Sequence, residues 1–81
     1  MRVRLLYFAV LRDICGKDGE ELALSDGTAP RDVWRLLRDR HPELAAYHQP
    51  PLTAVNQAYA SADEPLREGD ELAFIPPVAG G

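Results

Sequence analysis

Apolar and polar residues alternate at the start of the chain. Val3, Leu5 and Tyr7 fall on one side of that alternation; Arg2, Arg4, Leu6 and Phe8 fall on the other. A period of two predicts a strand over residues 3–8, with Val3, Leu5 and Tyr7 in the core and Leu6 and Phe8 on the outer face. The period then lengthens. Val10, Leu11 and Ile14 sit at helical spacing within residues 9–15, and Gly16 follows where a helix C-cap favours glycine. Lys17-Asp18-Gly19 is turn chemistry, and residues 20–24 predict a second strand with Leu22 and Leu24 inward.

The longest helical pattern spans residues 30–40. Pro30 suits its first position, where the missing N–H costs nothing. Thr28 and Ala29 are both candidates for the cap. Val33, Leu36 and Leu37 form the expected apolar stripe, with Trp34 half covering it, while Arg31, Arg35, Arg38 and Arg40 face water. His41-Pro42 stops the helix, because the residue before proline avoids the helical region. Leu44 and Tyr47 predict a further short turn. Residues 52–56 predict a third strand, and Asn56-Gln57-Ala58 a tight turn into a short strand at Tyr59-Ala60. Leu66 returns to the core after a loop at 61–65. Glu68-Gly69-Asp70 turns the chain into a last strand, 71–75, with Leu72 and Phe74 inward and Ile75 outward.

This order of elements predicts an α+β fold: a mixed sheet of four to five strands with one main helix packed across it. The first and last strands are expected side by side in the middle of the sheet. Residues 1–75 form the folded domain. Residues 76–81 are expected to form an extended tail, since Pro76-Pro77 blocks a helix and favours a stiff path.

Composition narrows the possible partners. With 81 residues the chain makes one small domain with a modest core, too small to enclose a catalytic cavity. A net charge of −4 and the lack of a basic stripe argue against nucleic acid. No apolar run approaches the roughly 20 residues of a membrane span. A single cysteine, Cys15, and no signal peptide point to a reducing cytoplasm. No nucleophile–base pair, phosphate loop or nucleotide fingerprint is present. His41 and His48 lack a second ligand pair, so no metal site is expected. Cys15 is expected to pack as a small apolar residue rather than relay sulfur. Asp63, Glu64, Glu68, Asp70 and Glu71 read equally as a solvated surface or as a face for a basic partner.

The chemistry is expected at the C-terminus. Pro76-Pro77-Val78-Ala79-Gly80-Gly81 shrinks in side-chain size toward its end. Six residues reach about 20 Å when extended, and glycine lets another backbone approach closely. Such a tail can thread a narrow channel in a partner, and the reactive group it delivers is the Gly81 carboxylate. Phe8, Tyr59 and Ile75 are expected together on the outer sheet face near the base of that tail, as a docking surface.

Val3 to Phe8, Ala54-Val55-Asn56-Gln57 and above all residues 66–81 resemble the ubiquitin-like sulfur carriers, and among them the small-subunit family of molybdopterin synthase. The resemblance implies a β-grasp fold and a non-catalytic, sulfur-donating subunit of an enzyme complex. It implies that an adenylating enzyme, using ATP and Mg²⁺, converts the Gly81 carboxylate to an acyl-adenylate. A sulfur donor then displaces AMP to give a thiocarboxylate. The tail next enters the large synthase subunit, where the sulfur attacks a pterin precursor to build the dithiolene. The resemblance further implies an assembly of two small and two large subunits and no cofactor bound to the small one. The alternatives that the resemblance leaves open for this chain are a sulfur carrier for thiamine, cysteine or tRNA thiolation, and a ubiquitin-like protein modifier whose Gly81 is joined to lysines.

Overall fold

A computed structural model describes residues 1–46 and 51–75. Among these residues the chain forms strands β1 (Arg2–Leu6), β2 (Gly19–Ala23), β3 (Leu52–Val55), β4 (Ala58–Ala60) and β5 (Glu71–Ile75). It also forms helices α1 (Ala9–Cys15) and α2 (Pro30–Arg40) and a 3-10 helix at Pro42–Ala46. The strands make one sheet in the order β2-β1-β5-β3-β4. As expected, the first and last strands lie side by side in the middle, and they run parallel. The other neighbouring pairs are antiparallel.

The core follows the alternation of β1 and β5. Val3, Leu5 and Tyr7 are buried, as are Leu72 and Phe74. Tyr7 lies just past the end of β1, so its burial outlasts the strand pattern. Helix α2 packs onto this face, but its stripe is rotated from the expected one. Pro30, Val33, Trp34 and Leu37 are buried, at i, i+3, i+4 and i+7, whereas Leu36 is 36% exposed. Trp34 is therefore a core residue, not a half cover. Its ring meets Phe74 edge-on, with centroids 5.2 Å apart at 61°. Starting the stripe at Pro30 instead of Val33 accounts for the rotation.

The helix ends differ in kind. At the start of α2 the cap is Ala29, whose N–H donates to the Asp32 carboxylate at 2.9 Å. The missing side-chain acceptor is thus replaced by the reciprocal half of a capping box. At its end His41 caps through its backbone N–H, which donates to the Leu37 carbonyl at 2.8 Å. Helix α1 stops at Gly16 in the left-handed conformation, φ 75°. Strand β2 begins one residue earlier than expected, at Gly19, and Leu24 is only half-buried beyond its end. Glycine is required at that first position, because a Cβ there would stand 2.6 Å from the Leu5 carbonyl oxygen. Leu44 is fully buried in the 3-10 helix, while Tyr47 and His48 lie outside the described residues.

The β3–β4 hairpin turns on two residues. Asn56 and Gln57 both take positive φ, 52° and 69°, as a two-residue hairpin with the twist of its strands requires. Asn56 also ties this turn to β5. Its amide donates to Asp70 at 3.0 Å and accepts from the Glu71 N–H at 3.0 Å.

Candidate docking face at the base of the tail

The two faces of the sheet are set by the strand register. Paired residues share a face, so Leu6, Ala73, Ala54 and Tyr59 form one row across β1, β5, β3 and β4 on the side away from α2. The next row toward the end of β5 pairs Leu52 with Ile75. The row on the other side of Leu6–Ala73 is charged, with Arg4 beside Glu21 and Glu71. The outer face is therefore polar where β5 begins and apolar where it ends.

The three expected docking residues are exposed: Phe8 51%, Tyr59 75% and Ile75 38%. Tyr59 and Ile75 are diagonal neighbours across β3, because their partners Ala54 and Leu52 are two residues apart. Phe8 lies two residues beyond Leu6, at the same end of the sheet, just before α1 begins. Leu52 belongs with them, although the sequence alone does not place it there. It is 60% exposed, while its polar neighbour Thr53 is 4% exposed and faces the core. This inversion, leucine out and threonine in, is legible only once β3 is paired to β5. The signal in the sequence was the alternation Leu52-Thr53-Ala54-Val55, whose phase is ambiguous without a partner strand.

Ile75 is the last described residue of β5. The expected tail residues Pro76, Pro77, Val78, Ala79, Gly80 and Gly81 lie outside the described residues. The position from which they depart is set by the pairing of β5 with β1 and β3.

Titratable groups gather on the inner side instead. The Tyr7 hydroxyl donates to the Glu20 carboxylate, and Arg40 reaches the same carboxylate at 3.2 Å and Lys17 at 3.4 Å. Burial and the neighbouring carboxylate raise the Tyr7 pKa well above its ordinary value. Burial works to raise that of Glu20, but hydrogen bonds from Tyr7, Arg40 and Lys17 outweigh it and the net shift is downward. Cys15 stands beside this cluster, and burial pushes its thiol up. A raised thiol pKa means little thiolate near neutral pH, so Cys15 lacks the activation that a sulfur relay requires.

Among the described residues no group of three or more His, Cys, Asp or Glu is placed to hold a metal. No helix among them is long and apolar enough to cross a membrane. A shallow groove of about 300 Å³ lies between the β3–β4 hairpin and the loop before β5, lined in part by Asn56, Glu64, Arg67 and Asp70. It sits at the polar end of β5, away from Ile75. The acidic residues of that loop are largely engaged locally: Asp63 with Arg31 at 2.9 Å, Asp70 with Asn56 and the Arg67 N–H, and Glu68 with the Arg2 N–H.

A mixed sheet with two parallel central strands, a helix across one face and a C-terminal strand leading off the end defines a ubiquitin-like β-grasp protein. The chain belongs to the ThiS family, whose model matches residues 5–81. It is 42% identical over 81 residues to the molybdopterin synthase sulfur carrier subunit of Escherichia coli, covering 98% of this chain and 99% of that one. Its fold matches a structure from Pyrococcus furiosus provisionally assigned as molybdopterin converting factor, subunit 1. That match has a TM-score of 0.82 and 34% identity, covering 96% of this chain and 99% of the other. Small archaeal modifier protein 1 from Methanosarcina acetivorans matches with a TM-score of 0.75 and 25% identity, over 99% of this chain and 96% of that one.

Proposed function

We infer that this chain is the sulfur carrier subunit of a molybdopterin synthase. The observation that carries this reading is full-length similarity to curated sulfur carrier subunits, joined to a sheet whose apolar half-face surrounds the point where the tail departs.

In this reading a carboxylate at Gly81 must first be activated, because oxide is a poor leaving group. Adenylation supplies AMP as the leaving group. The terminal sulfur of a persulfide attacks the acyl carbon and AMP departs with its electron pair. A thiol then cleaves the S–S bond of the resulting acyl disulfide, leaving the thiocarboxylate on Gly81 and a disulfide on the donor side. The large subunit then receives the tail, with Leu52, Tyr59, Ile75 and Phe8 as the apolar contacts that seat the domain. Acid–base groups for the pterin chemistry come from that subunit.

The test is tail length. Chemically prepared thiocarboxylates of the wild type, a chain lacking Gly81 and a chain extended by one residue are offered to the large subunit with precursor. Each change moves the reacting atom by about 3.5 Å, and a misplacement of about 1 Å already costs roughly a hundredfold. Dithiolene is expected from the wild type alone, with unchanged melting temperatures for all three. Equal yields would refute the reading. The likeness to a small archaeal modifier supports a second reading, in which Gly81 is joined to lysines of other proteins. Recovery of such conjugates from cells, with no thiocarboxylate by intact mass, would favour it.

A further inference from the structure

We propose that Ala9 is a positioning residue for docking: its left-handed backbone turns the chain so that Phe8 stands on the outer face. The proposal rests on the reading above that this face meets the large synthase subunit.

Among the described residues, three that are not glycine take positive φ: Asn56, Gln57 and Ala9. The two-residue hairpin accounts for the first two. It does not account for Ala9, whose φ is 49°. Alanine is disfavoured in this region because its Cβ crowds the following carbonyl oxygen. A residue held there persists only where its surroundings over-determine the backbone, and such residues gather at functional sites.

Two anchors supply that constraint. Tyr7 is buried; its N–H donates to the Asp18 carbonyl at 2.8 Å and its hydroxyl to Glu20. Leu11 is fully buried in the same core cluster. Four residues of extended chain would separate the two by roughly 13 Å, so the chain must turn back at once. Phe8 itself is extended, at φ −122° and ψ 153°. Its carbonyl closes the turn by accepting from the Leu11 N–H at 3.0 Å and the Arg12 N–H at 3.4 Å. Ala9 is the first residue inside this turn, and its positive φ sets the hand of the turn.

Forcing Ala9 to negative φ would reverse that hand. Burial holds Tyr7 and Leu11, whereas Phe8 is 51% exposed, so Phe8 is the side chain that leaves its place. Its neighbours on the face are fixed differently. Leu52, Tyr59 and Ile75 lie within paired strands, and the register holds them. Phe8 lies beyond the end of β1, and its place depends on the dihedral of the next residue.

The experiment compares substitutions of similar size in the full chain, titrated calorimetrically with the large subunit. Asparagine tolerates the left-handed region, whereas β-branched valine does not. Ala9→Gly and Ala9→Asn are expected to bind as the wild type does, and Ala9→Gly to have a denaturant midpoint at least as high. Ala9→Val is expected to bind about tenfold more weakly, as loss of one apolar anchor does. In a Phe8→Ala background Ala9→Val should weaken binding no further, whereas general loosening of the fold would weaken both backgrounds alike. If Ala9→Val does not fold, Ala9→Leu, branched one carbon later, takes its place. Wild-type affinity in the branched variant, an equal loss in the Phe8→Ala background, or a lowered midpoint in Ala9→Gly would each overturn the proposal. Failure of the unaltered chain to bind the large subunit would instead refute the docking reading itself.

Discussion

The two faces of the sheet are built from the same strands and similar residues, yet they meet different fates. On the inner face Val3, Leu5, Leu72 and Phe74 lie under α2 and are nearly inaccessible. On the outer face Leu52, Tyr59 and Ile75 stand in solvent. Burying a large apolar side chain is favourable by about 1.5–3 kcal/mol, so leaving several clustered in water forgoes stability that the fold could use. The inner face serves folding. The outer patch adds nothing to folding, and its position where β5 ends is what supports the docking role proposed for it. The contrast also separates polarity from burial: in β3 the threonine is inside and the leucine outside.

Substitutions should split along this line. The largest effect is expected inside. Phe74→Ala removes the partner of the Trp34 ring and should cost about 3–5 kcal/mol of stability, seen as a large drop in the denaturant midpoint. A loss below about 1 kcal/mol would mean that the two faces are not as distinct as their burial indicates.

Outside, Leu52→Ala, Tyr59→Ala and Ile75→Ala should barely move the denaturant midpoint. At least one of them should weaken binding to the large synthase subunit by about 1–4 kcal/mol in calorimetric titration. Affinity unchanged in all three would place the interface elsewhere.

A smaller effect belongs to acid. The folded-state pKa of Glu20 is lowered, so its contribution to stability is fully present above the ordinary carboxylate value and is lost as pH falls through the folded one. Glu20→Gln should therefore be less stable than the wild type at neutral pH. The two unfolding curves should converge below about pH 4, near and under the ordinary glutamate value. A constant gap from pH 7 to pH 3 would show that the carboxylate charge is not what matters there.

The smallest change is expected from Cys15→Ser, within about 1 kcal/mol of wild-type stability and with sulfur transfer retained. Loss of transfer in a folded variant would return the thiol to the chemistry.

Much of this was legible in the chain itself. The two-residue period of 3–7 and 71–75 named the core positions, and the bounds of α2 followed from Pro30 and from His41-Pro42. The left-handed Gly16 and the Asn56-Gln57 turn follow from backbone sterics, which are local and so visible in a short window. Tertiary structure decided the rest. It turned α2 so that Trp34 entered the core and Leu36 did not, because helix rotation depends on the surface it meets. It set the phase of β3, exposing Leu52, because a strand's two faces are equivalent until a neighbour covers one. It placed Gly19, Leu6 and Ala73 in one row across the sheet. Such proximities join residues more than fifty positions apart, and no local propensity encodes them.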